Sequence, residues 1–300
     1  MLFFRLFFTL MLASSATYAA ANPADGCLKA LGEDETAKAL SLAEQALSQN
    51  QAQRDVILCK GRAELSLGRN EAAIKSFTAA EPLATTPHEN LVTHIFKGNA
   101  YKALGQYSQA QASYEAALKL ATEEKNLKFQ VIAHLLVGEA LIQQAQLPQA
   151  QQHYESALKL AGNNNERADA KEHLAQLKAK QGLYDDAIAH QVQAVVMQLS
   201  DGDFDGYANA GLELGYLYIN ARDYANAERN LNKVISKAGE AGDGYWAAKG
   251  YYYLGLNFIA AQQSDRAQDA LNQAREICEA IGAEKLAAEV NLQLQNLSQR

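Results

Sequence analysis

The stretch Gly98–Leu120, GNAYKALGQYSQAQASYEAALKL, holds no His, Cys, Asp, Trp or Pro and a single carboxylate, Glu115. It has almost nothing to do chemistry with, yet its small and aromatic residues are regularly placed. Ala110, Tyr114 and Ala117 recur at i, i+4 and i+7, a spacing that gathers them on one face of a helix. Gly105–Gln106 interrupts the helical pattern, as a Gly at a helix end does. The stretch therefore predicts two helices joined by a tight turn.

The same pattern returns along the chain. Aligned on the first Gly, it reappears as GRAELSLGRNEAAIKSFTAA from Gly61 and as GEALIQQAQLPQAQQHYESALKL from Gly138. Further copies are GYLYINARDYANAERNLNKVI from Gly215 and GLNFIAAQQSDRAQDALNQA from Gly255. A degraded copy, AQLKAKQGLYDDAIAHQVQAVV, has Ala175 in the Gly slot, and ahead of these Cys27 falls in that slot before TAKALSLAEQAL. The slots 27, 61, 98, 138, 175, 215 and 255 are 34, 37, 40, 37, 40 and 40 residues apart. Periods in this range belong to stacked helix-turn-helix repeats.

With Gly98 and Tyr101 in the first helix and Ala110, Tyr114 and Ala117 in the second, the chain resembles the tetratricopeptide-repeat family over roughly Cys27–Cys278. It departs from the family pattern in three ways. His94 and His134 stand in the Trp slot, the closing Pro is missing, and later copies exceed 34 residues. The resemblance implies an all-α fold: a right-handed α-solenoid of about seven helix-turn-helix repeats, closed by a C-terminal capping helix. In packing terms, Gly98 and Ala110 mark close helix approach, where a larger side chain would overpack. Tyr101 and Tyr114 are the knobs that fill the space beside them. Domain limits follow as a leader over 1–21, a solenoid over 22–282 and a cap over 283–300. The cap has Leu286, Val290, Leu294 and Leu297 facing inward.

The resemblance also implies where a partner would bind, because first helices line the concave face of such solenoids. Their non-signature positions give the expected groove: Asn99 and Lys102 early, then Asn209, Leu212, Tyr216, Ile219, Tyr252 and Leu256 towards the C-terminus. Ile95, Leu135, Glu139, Ile142 and Ile259 occupy related positions. The late set is apolar and aromatic, which suits an extended or helical peptide. The Lys/Asn/Arg set with which some family members clamp a C-terminal carboxylate is not in matching slots.

The N-terminus reads differently from the rest. MLFFRLFFTLMLASSATYAAANPADG has one early cation, Arg5, an apolar run over 6–13 and small residues at Ala19 to Ala21, the pattern of a cleavable export signal. Cleavage after Ala19 or after Ala21 fits equally. The run is too short for a membrane-spanning helix, which takes about 20 residues. Gly26–Cys27 invites a lipoprotein reading, but Ala24 and Asp25 are poor lipobox residues and Cys27 lies well past the apolar run. The expected location is therefore periplasmic or secreted. Formal charge is 27 − 34 = −7, and −8 once Arg5 is removed with the leader, which argues against nucleic acid or anionic lipid as partner. Export makes a disulfide possible. Cys27 and Cys59 fall in the first helices of adjacent repeats and are expected to bond, two buried free thiols being the alternative; Cys278 is left free.

Little else suggests chemistry. The six His largely fall in equivalent repeat slots (His94 with His134, His153 with His190) and mark periodicity rather than ligation. No catalytic or phosphate-binding spacing is present, so neither an enzyme nor a cofactor is expected. DGDFDG places Asp201, Asp203 and Asp205 like the opening of a calcium loop. However, its closing acid should be residue 212, which is Leu. The same aspartates suit the start of a helix, and EAGDGYWAA does that job one repeat later with one Asp. The expectation is a protein-binding scaffold or adaptor, of the kind that serves envelope assembly, secretion or pilus biogenesis. A ligand- or calcium-dependent sensor module is the alternative, with an enzyme third.

Overall fold

A computed structural model describes residues 22–49 and 53–299. The stretch 1–21, expected to be an export leader, lies together with both expected cleavage positions outside the described residues. Those residues hold fifteen α-helices, one 3-10 turn and no strand. They form two compact bodies, divided between Leu83 and Ala84. The first contains α1 (Asp25–Gly32), α2 (Thr36–Ser48), α3 (Arg54–Ser66), α4 (Asn70–Ala80) and the 3-10 turn Glu81–Leu83. The second opens with α5 (Pro87–Ala103), α6 (Tyr107–Glu123), α7 (Leu127–Gln143), α8 (Leu147–Leu160) and α9 (Asn164–Lys180). It continues with α10 (Tyr184–Asp201), α11 (Phe204–Asn220), α12 (Tyr224–Ala241), α13 (Gly244–Ala260), α14 (Ser264–Ile281) and α15 (Glu284–Ser298). Helices adjacent in sequence pack on each other within each body, which is the all-α repeat solenoid expected.

The turn inside each repeat has one recurring device. A residue with positive φ follows the first helix at Asp34, Gly68, Gly105, Ala145, Gly182, Arg222 and Gln262. At such a position the chain reverses, and amides beyond the helix return to its last carbonyls. In the opening stretch Gln106 N–H donates to Tyr101 O at 2.9 Å and Gly105 N–H to Lys102 O at 3.0 Å. Glycine supplies the conformation at three of the seven turns; the other four hold it against their side chains' preference.

First helices of the second body start on side-chain caps. Thr86, Asn126, Asn163, Asp203 and Asp243 each accept a hydrogen bond from an amide three residues on. Asp203 is thus one of a series of helix caps, taking Gly206 N–H at 2.9 Å.

The small-residue slots pack as expected. A Cβ on Gly61 would stand 2.6 Å from the Phe77 ring, and one on Gly255 would stand 2.7 Å from Leu271. Gly98 and Gly138 meet Tyr114 and Tyr154 in the same way. Each knob lies seated in the hollow of its own repeat, with Phe77, Tyr114, Tyr154, Leu231 and Leu271 all buried. The exception is the degraded copy, where Ala175 faces a repeat whose knob is Gln191, buried with its Nε2 donating to Ala210 O at 3.0 Å.

In the first body Cys27 and Cys59 are joined by a disulfide with Cα atoms 6.3 Å apart, 32 residues apart in sequence. Closing a loop of that size stabilises by about 3–4 kcal/mol in the chain-entropy account. Cys278 is free and buried. At the far end α15 buries Leu286 and Val290 against α13 and α14, and Leu294 and Leu297 also pack inward. No helix among the described residues is long and apolar enough to cross a membrane.

Candidate functional site

The first helices α5, α7, α9, α11 and α13 bring their side chains together along one face of the second body. In its earlier half this face is a ladder of polar groups. Lys102 Nζ on α5 donates to Glu139 Oε2 on α7 at 2.7 Å, and Glu139 Oε1 lies 3.0 Å from His173 Nε2 on α9. His173 Nδ1 in turn lies 2.8 Å from its own helix carbonyl at Asp169. With both ring nitrogens facing acceptors, the arrangement suits the imidazolium. Burial alone would lower the His173 pKa, but the bond to Glu139 and the Asp169 carbonyl raise it. Burial opposes ionisation of Glu139, yet its bonds to His173 and Lys102 hold it down at about 2. A cavity of about 390 Å³ opens beside this ladder, lined by Lys102, Tyr107, Glu139, Ile142, Tyr154 and Lys180 among others.

Asn99, expected as a contact residue, is engaged internally, its Oδ1 accepting from Tyr114 Oη at 2.7 Å. Next to the ladder, His134 and His153 place their Nδ1 atoms 3.0 Å apart. Burial, then each other's proximity, lowers His134 to about 4; burial also lowers His153. They form a neutral pair sharing one hydrogen bond.

Towards α11 and α13 the face changes character. Glu172 is pushed up to about 7 by burial and by Asp169 and Glu213 nearby, and burial likewise raises Glu213 and Asp169. Beyond these carboxylates stands an aromatic group. Tyr216 and Tyr253 meet edge-on with centroids 6.3 Å apart, and Tyr252 meets Tyr253 at 5.8 Å. Lys249 Nζ sits 5.1 Å from the Trp246 ring centroid and 5.5 Å from that of Tyr245. A second cavity, about 550 Å³, lies between this group and α15, reaching Glu284, Leu286 and Glu289.

Of the groove residues expected from sequence, the structure brings Tyr216 and Tyr252 into one cluster through Tyr253. Tyr216 and Asn209 are exposed, and Lys102, Ile219, Tyr252 and Leu256 are half-buried. Leu212 needs correction: it is 2% exposed, packed with Leu231 and Val234 in the core, and does not line the face. Helix phase alone does not set this, because Glu172 and Tyr252 hold the same slot, three residues before the small one, and stay part-exposed. Leu135 and Leu212 are covered by their core neighbours, whereas His173, Glu213 and Tyr253 stand two before the small slot and face the site. Those three were missed, and comparing the slot two before each Gly or Ala across repeats would have found them.

The aspartates of the calcium-like stretch diverge. Asp203 caps α11, Asp205 Oδ1 accepts from Trp246 Nε1 at 2.6 Å, and Asp201 Oδ1 accepts from Asn164 Nδ2 at 2.8 Å. No group of three metal-ligating side chains occurs among the described residues.

Fold and face together define a solenoid of paired helices whose first helices present a composite surface. Residues 97–203 match the tetratricopeptide-repeat family model, at 97–165 and again at 135–203. No curated protein matched the sequence. Among solved structures, the apo form of the quorum sensor NprR from B. thuringiensis aligns with a TM-score of 0.64 at 13% identity, over 92% of this chain and 86% of that one. A tetratricopeptide repeat protein from Parabacteroides merdae aligns at 0.58 and 18% identity, over 89% and 97%. A Rap protein complexed with competence and sporulation factor aligns at 0.57 and 17%, over 86% and 79%. At these identities the likeness concerns the fold.

Proposed function

We propose that the protein is a binding scaffold that holds a peptide segment of a partner protein along the first-helix face of residues 84–299. The aromatic group around Tyr253 carries this reading. Tyr216 is 46% exposed although it sits among rings that could have covered it, and such rigid aromatic surface gains most when a partner desolvates it. Affinity on a preformed frame comes from burying that surface without reordering the protein. The carboxylates of Glu172, Glu213 and Asp169 next to the rings ionise with difficulty, and a cationic side chain would favour their charged forms. The expected segment therefore pairs an apolar or aromatic residue with a Lys or Arg. A quorum sensor and a Rap protein in complex with a factor share this fold, which supports recognition as its use here.

Export to the periplasm rests on the leader pattern, and the Cys27–Cys59 disulfide suits an oxidising compartment. In that setting the scaffold would serve envelope assembly, secretion or pilus biogenesis. The test is selection of peptides from a random displayed library on the purified protein. Replacing Tyr216→Ala and Tyr252→Ala together should weaken the selected peptides at least about tenfold, a loss of ~1.4 kcal/mol, with helicity unchanged by circular dichroism. Undiminished binding to the double variant rejects the site.

A further inference from the structure

The outer side of α10 breaks the pattern of the repeats. Val192, Val196 and Leu199 form a stripe at i, i+4 and i+7 and are 38%, 60% and 49% exposed. Relative to the buried knob of each second helix, the Val192 and Val196 slots are Glu115 and Lys119 in α6, and Glu155 and Lys159 in α8. They are Asn232 and Ser236 in α12, and Asn272 and Glu276 in α14. Four sister helices thus fill these slots with polar residues, so the repeat frame does not require apolar ones there. Water contact disfavours the stripe, at roughly 25 cal/mol per Å² of apolar surface.

The stripe is one wall of a groove of about 540 Å³. Its floor is Tyr207, Leu214 and Tyr218 of α11, the first two only 5% exposed. Its opposite wall is α12, which presents Arg229, Lys233 and Lys237 at successive four-residue steps, with Glu240 beyond them. Lys237 lies 5.9 Å from the Tyr207 ring centroid. On a chain of net charge −7, three aligned cations without a carboxylate interleaved are a local reversal of sign.

We propose that this outer groove docks an amphipathic helix of a partner protein, with an apolar stripe against Val192, Val196 and Leu199 and Asp or Glu along the flank that meets Arg229, Lys233 and Lys237. The geometry selects a helix. Both walls span about two turns, roughly 10–12 Å at 1.5 Å per residue, and a row of helix side chains reaches a recessed floor. A flat bilayer surface would touch the rims and leave Tyr207 and Leu214 uncovered. This site lies on the second-helix side and does not depend on the Tyr216 face.

The test is a displayed library of amphipathic helices with a fixed leucine stripe and both flanks randomised between Glu, Gln and Lys. It is selected on the full chain and counter-selected on Val196→Glu, a change towards residues the sister helices already carry, so folding is kept and is checked by thermal melting. Enriched helices should carry acid on one flank, bind at least tenfold more weakly to Val196→Glu and to Lys233→Glu, and weaken with salt. Tyr216→Ala with Tyr252→Ala should leave them unaffected. Three results overturn the proposal: no Val196-dependent binders or no acidic bias, binding instead to phosphatidylglycerol vesicles in a Val196-dependent way, or self-association of the chain that Val196→Glu abolishes.

Discussion

The two halves of the first-helix face share one frame and differ in what they do with it. From α5 to α9 the polar groups satisfy one another: Lys102 and His173 hold Glu139, and Tyr114 holds Asn99. Beyond His173 the aromatic groups of α11 and α13 touch but stay open, and Glu172 at the far side of α9 and Glu213 of α11 lack an equally close cation. The comparison teaches that a repeat's packing slots and its face are separately adjustable. One half is internally complete, and the other leaves aromatic surface unfinished.

The largest expected effect strikes the frame that both halves share. Gly138→Ala forces a methyl against the ring of Tyr154 in a fully packed core and should cost about 1–3 kcal/mol in chemical denaturation. An unchanged midpoint would show that the hollows are less tightly filled than their geometry indicates. Peptide binding at Tyr216, two repeats away, should survive in the folded fraction.

A smaller effect probes the self-satisfied half. Glu139→Gln removes the counter-charge of Lys102 and His173, and because the groups are part-exposed the cost should be about 1 kcal/mol. Its pH dependence is the diagnostic. Glu139 is held down at about 2, so its contribution is present above its unfolded pKa, about 4.5, and fades as pH falls towards 2. His173 is raised, so its contribution is full below its unfolded value of about 6.5 and fades as pH rises through the folded one. The difference in stability between wild type and Glu139→Gln should therefore peak between about pH 4.5 and 6.5. A difference flat across pH 3–8 would exclude the ladder as an ionic unit.

The smallest effect has the opposite sign. Ala145 holds φ at +59° in the turn where sister repeats use Gly105 or Gly182. Ala145→Gly relieves that conformation, worth about 1–2 kcal/mol, against an entropic loss of about 0.5–1 kcal/mol. A net gain near 0.5 kcal/mol, read as a slightly higher Tm, leaves both halves of the face as they were. A lower Tm would mean that the turn is not strained at this residue.

The frame was legible because its slots are steric and repeat in register, so Gly98 with Tyr114 announces Gly138 with Tyr154. The site was less so. Its residues lie where the pattern is silent, and one step of helix phase, 100°, separates Leu212 in the core from Glu213 on the face. Asn99 looked available because its bond to Tyr114 crosses between helices, a pairing that helix periodicity does not reveal. The stripe at Val192 and Val196 was visible in principle, since only a comparison of outward slots between repeats is needed. It escaped because an apolar residue in a helix is read first as core.

The bond between Cys27 and Cys59 also has a mechanical meaning. A pull applied at the N-terminus of the folded chain passes from Cys27 through the sulfurs to Cys59. The 31 residues between them, including all of α2, lie off the line of tension. The first segment to bear load by peeling is then the remainder of α3, already embedded in the first body. Tethered by its leading end, such a protein would yield later and over a shorter extension than its reduced form.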